Sequence, residues 1–361
     1  MMYLAFKNMK KIIYLSAGIL MLSMYACKKD TIESTPYTPT AYELTVPDHF
    51  PPPYLSNENP LTVEGVRLGR MLYYDPILST NGLSCTSCHK PSKSFSTGIY
   101  TAPSGEKISV PPHVNLAWNP DYNWTGSEPI LNHLPMGDFS PTIFNTDMAL
   151  LVTKFKSHAL YPTLFKQAFN IDDVASLSHN DLQVKIALAI TQFLRTMVSS
   201  DTKLDRVMRH EATFTPQEWD GYVTFTTETG DCFHCHGYPL MTSNVYSNNG
   251  LELSPQGTNQ GRYLVTGNPT DIGKYSVPTL RNIALTAPYM HDGRFQTLEE
   301  VVEFYNSGVH WNSPNIDPIM TKPAKIYGLN LTDSQKANLV LFLKALTDST
   351  YMNNPNYANP L

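Results

Sequence analysis

Two short runs decide the reading of this chain: Cys85-Thr86-Ser87-Cys88-His89 and Cys232-Phe233-His234-Cys235-His236. Both read C-x-x-C-H, and together they use every cysteine except Cys27. Two thiols at this spacing can add to the two vinyl groups of one haem, after which the adjacent histidine turns under the porphyrin to bind iron. A disulfide between cysteines three apart would close a short, strained loop and would leave the histidines unexplained. A zinc site would need a fourth ligand, and a thiol-rich zinc site is less natural in an exported protein. The runs therefore predict two covalent haems c, attached through Cys85, Cys88, Cys232 and Cys235, with His89 and His236 as proximal iron ligands. His113, His133, His158, His291 and His310 lack such spacing and read as surface or core histidines.

Working outward, each pentad is preceded by a helix. Thr62 to Tyr74 carries Val63, Val66 and Met71 at helical spacing and stops at Asp75-Pro76. Thr215-Pro216-Gln217-Glu218 is a capping box with proline at the first helical position, followed by Trp219, Tyr222 and Phe225. Asn180 to Ser199 is amphipathic, with Ile186, Ile190, Phe193 and Met197 on its buried side. Two further helices open at Thr297-Leu298-Glu299-Glu300 and Thr332-Asp333-Ser334-Gln335. Between them and the second pentad, Ser243 to Thr270 reads as a long loop over one haem face. Sustained strand alternation is absent. The expected class is all-α, with two cytochrome-c-like haem domains and long loops, at residues 56–205 and 206–361.

At the N-terminus, Lys7, Lys10 and Lys11 precede an apolar run from Ile12 to Met24 that ends in Ala26-Cys27. The run is short for a bilayer core, so residues 1–26 read as a signal peptide. Leu22-Ser23-Met24-Tyr25-Ala26-Cys27 resembles a bacterial lipoprotein signal, which predicts lipidation of Cys27 and a polar, proline-rich tether over residues 27–55. The protein would then sit on the periplasmic side of a bacterial membrane, anchored without spanning it. A net charge of −5 offers no basic stripe for nucleic acid.

The stretch Val277-Pro278-Thr279-Leu280-Arg281-Asn282-Ile283-Ala284-Leu285-Thr286-Ala287-Pro288-Tyr289-Met290-His291-Asp292-Gly293-Arg294-Phe295, together with the paired pentads and the run Asn59-Pro60-Leu61-Thr62 with Glu64-Gly65 and Leu68-Gly69, resembles the bacterial diheme cytochrome c peroxidase and MauG family. The resemblance covers roughly residues 56 to 350. It implies an N-terminal peroxidatic haem with an openable face. The C-terminal haem is then six-coordinate and relays electrons from a small donor, a cytochrome c or a cupredoxin, so that hydrogen peroxide is reduced to water. Alignment through Pro111 places Lys107 and Ala117 where the family usually carries a distal Gln and Glu. Glu106, His113 and Glu128 are the candidates for a substitute proton carrier.

Counting from His291-Asp292-Gly293, the resemblance places Tyr305 as the sixth ligand of the second haem, where peroxidases of the family commonly have methionine and MauG-like members tyrosine. Leu298, Val302 and Tyr305 share one helix face, so Tyr305 points inward whatever its role. A buried core tyrosine, with Met290 or Met320 as ligand, is the other reading. The resemblance also implies a calcium ion held by Thr286 and Pro288 with an Asn from the first domain. Three functions remain open: a peroxidase, a MauG-like oxidase of a protein or organic substrate, and a non-catalytic electron-transfer cytochrome.

Overall fold

The computed structural model describes residues 36–102, 105–323, 325 and 328–361. The signal segment and Cys27 lie outside the described residues, and among those described no helix is long and apolar enough to cross a membrane. The chain is mostly helical. The principal helices are α1 (Val63–Tyr74), α2 (Met148–Ser157), α3 (Tyr161–Phe169), α4 (His179–Arg195), α5 (Lys203–Met208), α6 (Pro216–Thr226), α7 (Leu298–Glu303) and α8 (Asp333–Lys344). Two small antiparallel pairs interrupt them: β1 (Ile99–Thr101) with β2 (Lys107–Ser109), and β3 (Tyr246–Ser247) with β4 (Tyr275–Ser276). Strands this short escape an alternation test, which needs four or more residues.

The helix starts follow the capping chemistry. Thr62 accepts from Gly65 N at the start of α1. Thr215 with Glu218, Thr297 with Glu300 and Thr332 with Gln335 each form a reciprocal capping box. Helix α4 ends at Arg195, short of the expected Ser199, yet Met197 beyond it is still fully buried.

Each half is built on the same crossing. Helix α1 packs on α4, and α6 packs on α8. Both contacts pass through a glycine: a Cβ at Gly69 would lie 1.9 Å from the Ala189 carbonyl oxygen, and one at Gly221 would lie 2.0 Å from that of Asn338. The first core gathers Leu68, Leu72, Phe155, Phe165, Ile186 and Phe193, and the second gathers Phe225, Leu298, Val302, Leu339 and Phe342.

The boundary between the cores departs from the expected one in three ways. Leu204 of α5 belongs to the second core, and Asp205 holds Arg281 at 2.7 Å through two oxygens with both side chains fully buried. Tyr351 and Tyr357 return to the first core from the far end of the chain. Part of the expected tether is packed against the body: Thr40 bonds Glu64, Tyr42 N donates to Leu61, and Phe50 stacks edge-on to Trp118. Phe50 is buried in this packing, while Val46, Tyr54 and Leu55 stay exposed.

Replacing an exposed helical glycine by alanine normally gains up to ~1 kcal/mol. Gly221→Ala should instead lose about 2 kcal/mol, because the overpacked methyl must push α6 away from α8. Urea unfolding followed by circular dichroism reads the sign, and a gain in stability would show that the helices do not cross at this residue.

Candidate haem sites

The first pentad forms a single helical turn, Cys85–Cys88, opened by a capping box between Ser84 and Ser87. Both cysteines are free thiols, Cys85 buried and Cys88 half-buried. The ring of His89 is oriented by its Nδ1, which lies 2.9 Å from the Phe95 carbonyl oxygen. A carbonyl can only accept, so Nδ1 carries the proton and Nε2 keeps its lone pair for iron. Burial holds the imidazole down at about 4, which keeps it in the neutral form that ligates metal.

The second pentad repeats the arrangement. Cys232 and Cys235 are free and half-buried. His236 Nδ1 lies 3.3 Å from the Met241 carbonyl, and burial again lowers the ring to about 4. The two carbonyls belong to residues in the left-handed region, Phe95 at φ 56° and Met241 at φ 55°. Their side chains are 2% and 1% exposed. Each loop therefore doubles back immediately after its pentad, and a buried apolar side chain pins the turn.

A cavity of about 240 Å³ adjoins Cys232, Cys235 and His236. Its walls are mainly apolar, from Phe225 on α6, Leu298 and Val302 on α7, and Leu339 and Leu343 on α8. Ser247, Asn249 and Leu251 of the long loop also line it, as do Ser109, Val110 and Trp124 from the first half. A flat apolar cofactor held through two thiols and one imidazole suits this donor set and these walls.

Tyr305 faces the same cavity from a turn of π-helix, Phe304–Gly308, that continues α7. Its hydroxyl accepts from Asn249 Nδ2 at 3.0 Å, and the same amide lies 3.7 Å from Met290 Sδ. Burial raises the phenol to about 12, a rise that the Asn249 hydrogen bond offsets in part. Met320 also lines the cavity, so the structure brings all three ligand candidates to it.

The proton-carrier candidates separate. His113 is not an unconnected core histidine: its ring stacks on that of His89 at 3.5 Å and 17°, and its Nδ1 meets the Tyr73 hydroxyl at 3.1 Å. Glu106 and Lys107 line an open groove with Asn259, Asp292 and Arg294. Glu128 accepts from Ile130 N at 3.0 Å, and Ala117 is a core residue packed with Phe50 and Trp118. The acid beside the first pentad is Asp138, which the sequence did not single out. Burial lifts its carboxyl to about 7, and its charge helps to raise the thiols of Cys85 and Cys88.

At the junction of the halves, Thr286 and Pro288 border the second cavity. The first-half side chain that reaches them is Ser109, whose Oγ donates to the Pro288 carbonyl at 3.1 Å while its N donates to the His291 carbonyl at 2.8 Å. A cation on the Pro288 oxygen would compete with that bond.

This is a helical protein with two C-x-x-C-H sites, neither pair of cysteines joined by a disulfide and each with a pre-oriented imidazole. The family model of di-haem cytochrome c peroxidases matches residues 63–213. Methylamine utilization protein MauG of Methylorubrum extorquens is 30% identical over 83% of this chain and 82% of its own length. Cytochrome c551 peroxidase of Nitrosomonas europaea is 33% identical over 68% of this chain and 73% of its own. Among solved structures, a MauG-like protein associated with microbial copper homeostasis aligns with a TM-score of 0.76 at 30% identity, covering 89% of this chain and 99% of that one. The chain belongs to the di-haem cytochrome c peroxidase and MauG family, whose cofactors are haems c.

Asp138 generates a pH prediction. Below about pH 7 its carboxyl is neutral and above it anionic, and a nearby anion favours the more positive, oxidised iron. The midpoint potential of the first haem should therefore fall as pH rises through 7, by at most ~59 mV per unit for one proton and one electron. In Asp138→Asn the potential should stay flat over that window. Spectroelectrochemical titration at pH 6 and pH 8 checks this, and equal slopes in both proteins would clear Asp138 of the role.

Proposed function

We propose that this protein is an exported, lipid-anchored di-haem peroxidase that reduces hydrogen peroxide to water with electrons from a small carrier protein, a cytochrome c or a cupredoxin. The observation that carries the reading is the pair of histidines, His89 and His236, each next to its pentad cysteines and each turning Nδ1 to a backbone carbonyl, the arrangement that suits ligation through Nε2. When bound, the haems supply peroxide activation and electron storage. Cys85 and Cys88 would tether the first, and Cys232 and Cys235 the second. The apolar walls of the second cavity would exclude water, in keeping with an electron-relay role. Asp138 would hold a proton beside the first site at neutral pH, where peroxide chemistry needs one.

Relatives carry both names, cytochrome-c peroxidase and MauG, and Tyr305 favours a second reading, a MauG-like oxidase of a protein or organic substrate. A phenolate is a hard, anionic donor that would lower the potential of the second haem. We assign Tyr305 as the distal ligand of that haem. Anchoring is proposed through Cys27 on the periplasmic side, with residues up to the packed arm acting as the tether.

Three outcomes test the reading. Denatured mature protein should carry the mass of two haems, one on each pentad peptide, and one haem or none would end it. Tyr305→Phe should convert the second haem to high-spin or water-bound iron, whereas Met290→Leu should leave its spectrum nearly unchanged. Loss of a sulfur-to-iron charge-transfer band in the Met290 variant would return the ligand to methionine. Cys27→Ser should move the protein from the membrane to the soluble periplasmic fraction, and a native protein already found there unmodified would refute the anchor.

A further inference from the structure

The geometry points to the C-terminal segment from Asp348 to Tyr357 as the positioning element for the axial histidine of the first haem, acting through His113 and Phe95. The inference rests on the reading that the first pentad carries a haem. By sequence this segment follows α8 and belongs to the second half, so a role at the first site is not suggested by its position.

The segment is anchored first. Asp348 Oδ2 accepts from Ser199 Oγ, Ser200 N and Asp201 N, each at 2.9 Å, and its backbone N donates to Asn282 Oδ1 at 2.7 Å. Asp348 thus joins the connection between the halves, through its carboxylate, to the second half, through its backbone N–H. Tyr357 closes the far end, its hydroxyl donating to the Thr196 carbonyl at 2.6 Å and accepting from Val198 N at 3.1 Å.

Between these anchors lies Tyr351, 2% exposed. Its hydroxyl donates to the His113 carbonyl at 2.5 Å, and its ring meets Phe95 edge-on at 5.7 Å and 75°. Both partners act on His89. The Phe95 carbonyl accepts from His89 Nδ1 at 2.9 Å and from His113 N at 3.3 Å, and the His113 ring covers the face of His89. The rotation of an axial imidazole and the strength of its Nδ1 hydrogen bond set the ligand field and basicity that iron experiences. Tyr351 holds the two groups that determine both.

The test uses holo protein purified with both haems, with the signals of the first haem assigned by their loss in a Cys85→Ala, Cys88→Ala variant. Tyr351→Phe removes one hydroxyl. It should shift the EPR g-values and the midpoint potential of the first haem and leave those of the second unchanged. Phe95→Leu keeps every backbone hydrogen bond, removes the ring contact, and should shift the first haem as well, which preserves the test should Tyr351→Phe fail to accumulate. Tyr357→Phe frees one anchor of the segment while leaving the Tyr351 hydroxyl in place, and should lower the melting temperature and shift the first haem in the same direction as Tyr351→Phe but by less. First-haem signals identical to wild type in Tyr351→Phe and in Phe95→Leu, or an equal shift in Tyr357→Phe, would overturn the proposal. Haem mass found only on the Cys232–Cys235 peptide would instead overturn the underlying functional reading, and this inference with it.

Discussion

The bond between an imidazole Nδ1 and a backbone carbonyl, made once in each half, is the constraint around which the rest of the structure is arranged. A histidine that is to ligate iron through Nε2 must surrender its other nitrogen to an acceptor, and here the acceptor is supplied within a few residues of the pentad, by Phe95 and by Met241. Bringing the carbonyl back so quickly forces bulky residues into the left-handed region, at a cost of about 1–3 kcal/mol each. Burying the side chains of Phe95 and Met241 returns roughly 1.5–3 kcal/mol apiece, so the turns are held rather than merely tolerated. The two helix crossings, α1 on α4 and α6 on α8, then form the cores against which these turns pack.

Joining the halves is the work of a few buried polar contacts rather than of one apolar seam. Asp205 and Arg281 make a fully buried bidentate pair that fixes α5, the first element after the connection, to the second half, and the guanidinium also bonds the Pro239 carbonyl. A pair this deep is costly to form and costlier to break, since either partner alone would be a stranded charge. Asp348 gathers three donors from residues 199–201, and Ser109 ties β2 to the loop around Pro288 and His291. The indole of Trp124 donates to the Ser109 carbonyl at 2.7 Å while its ring lines the second cavity. Residues of the first half thus complete the site of the second, and the C-terminal segment of the second half reaches the site of the first.

The two sites share their frame and differ in what surrounds it. The first has a histidine stacked on His89, a tyrosine hydroxyl bonded to it and a buried acid lifted to about 7; burial keeps the histidine neutral and the tyrosine protonated, so Asp138 is the group of the three that can exchange a proton near neutral pH. The second has an apolar cavity with Asn249 steering Tyr305 and Met290, an environment suited to holding iron in a closed coordination shell.

The sequence by itself determined the helical class, the helix starts and the place of both pentads. Those depend on local order: C-x-x-C-H is contiguous, and a capping box spans four residues. It also placed Tyr305 on the inward face with Leu298 and Val302, because helical periodicity is local too. What it could not supply were groups brought to a site from afar. Asp138 lies some fifty residues beyond the first pentad in a proline-containing 3-10 segment, without periodicity to say which way it faces. His113 has no spacing relation to His89. Asn249 sits in a loop whose register only its contacts define, and Tyr351 reads as one more aromatic near the chain end. Which distant residues face an imidazole is decided by packing, because long-range contacts leave no period in the sequence, and only tertiary structure brings them within hydrogen-bonding reach.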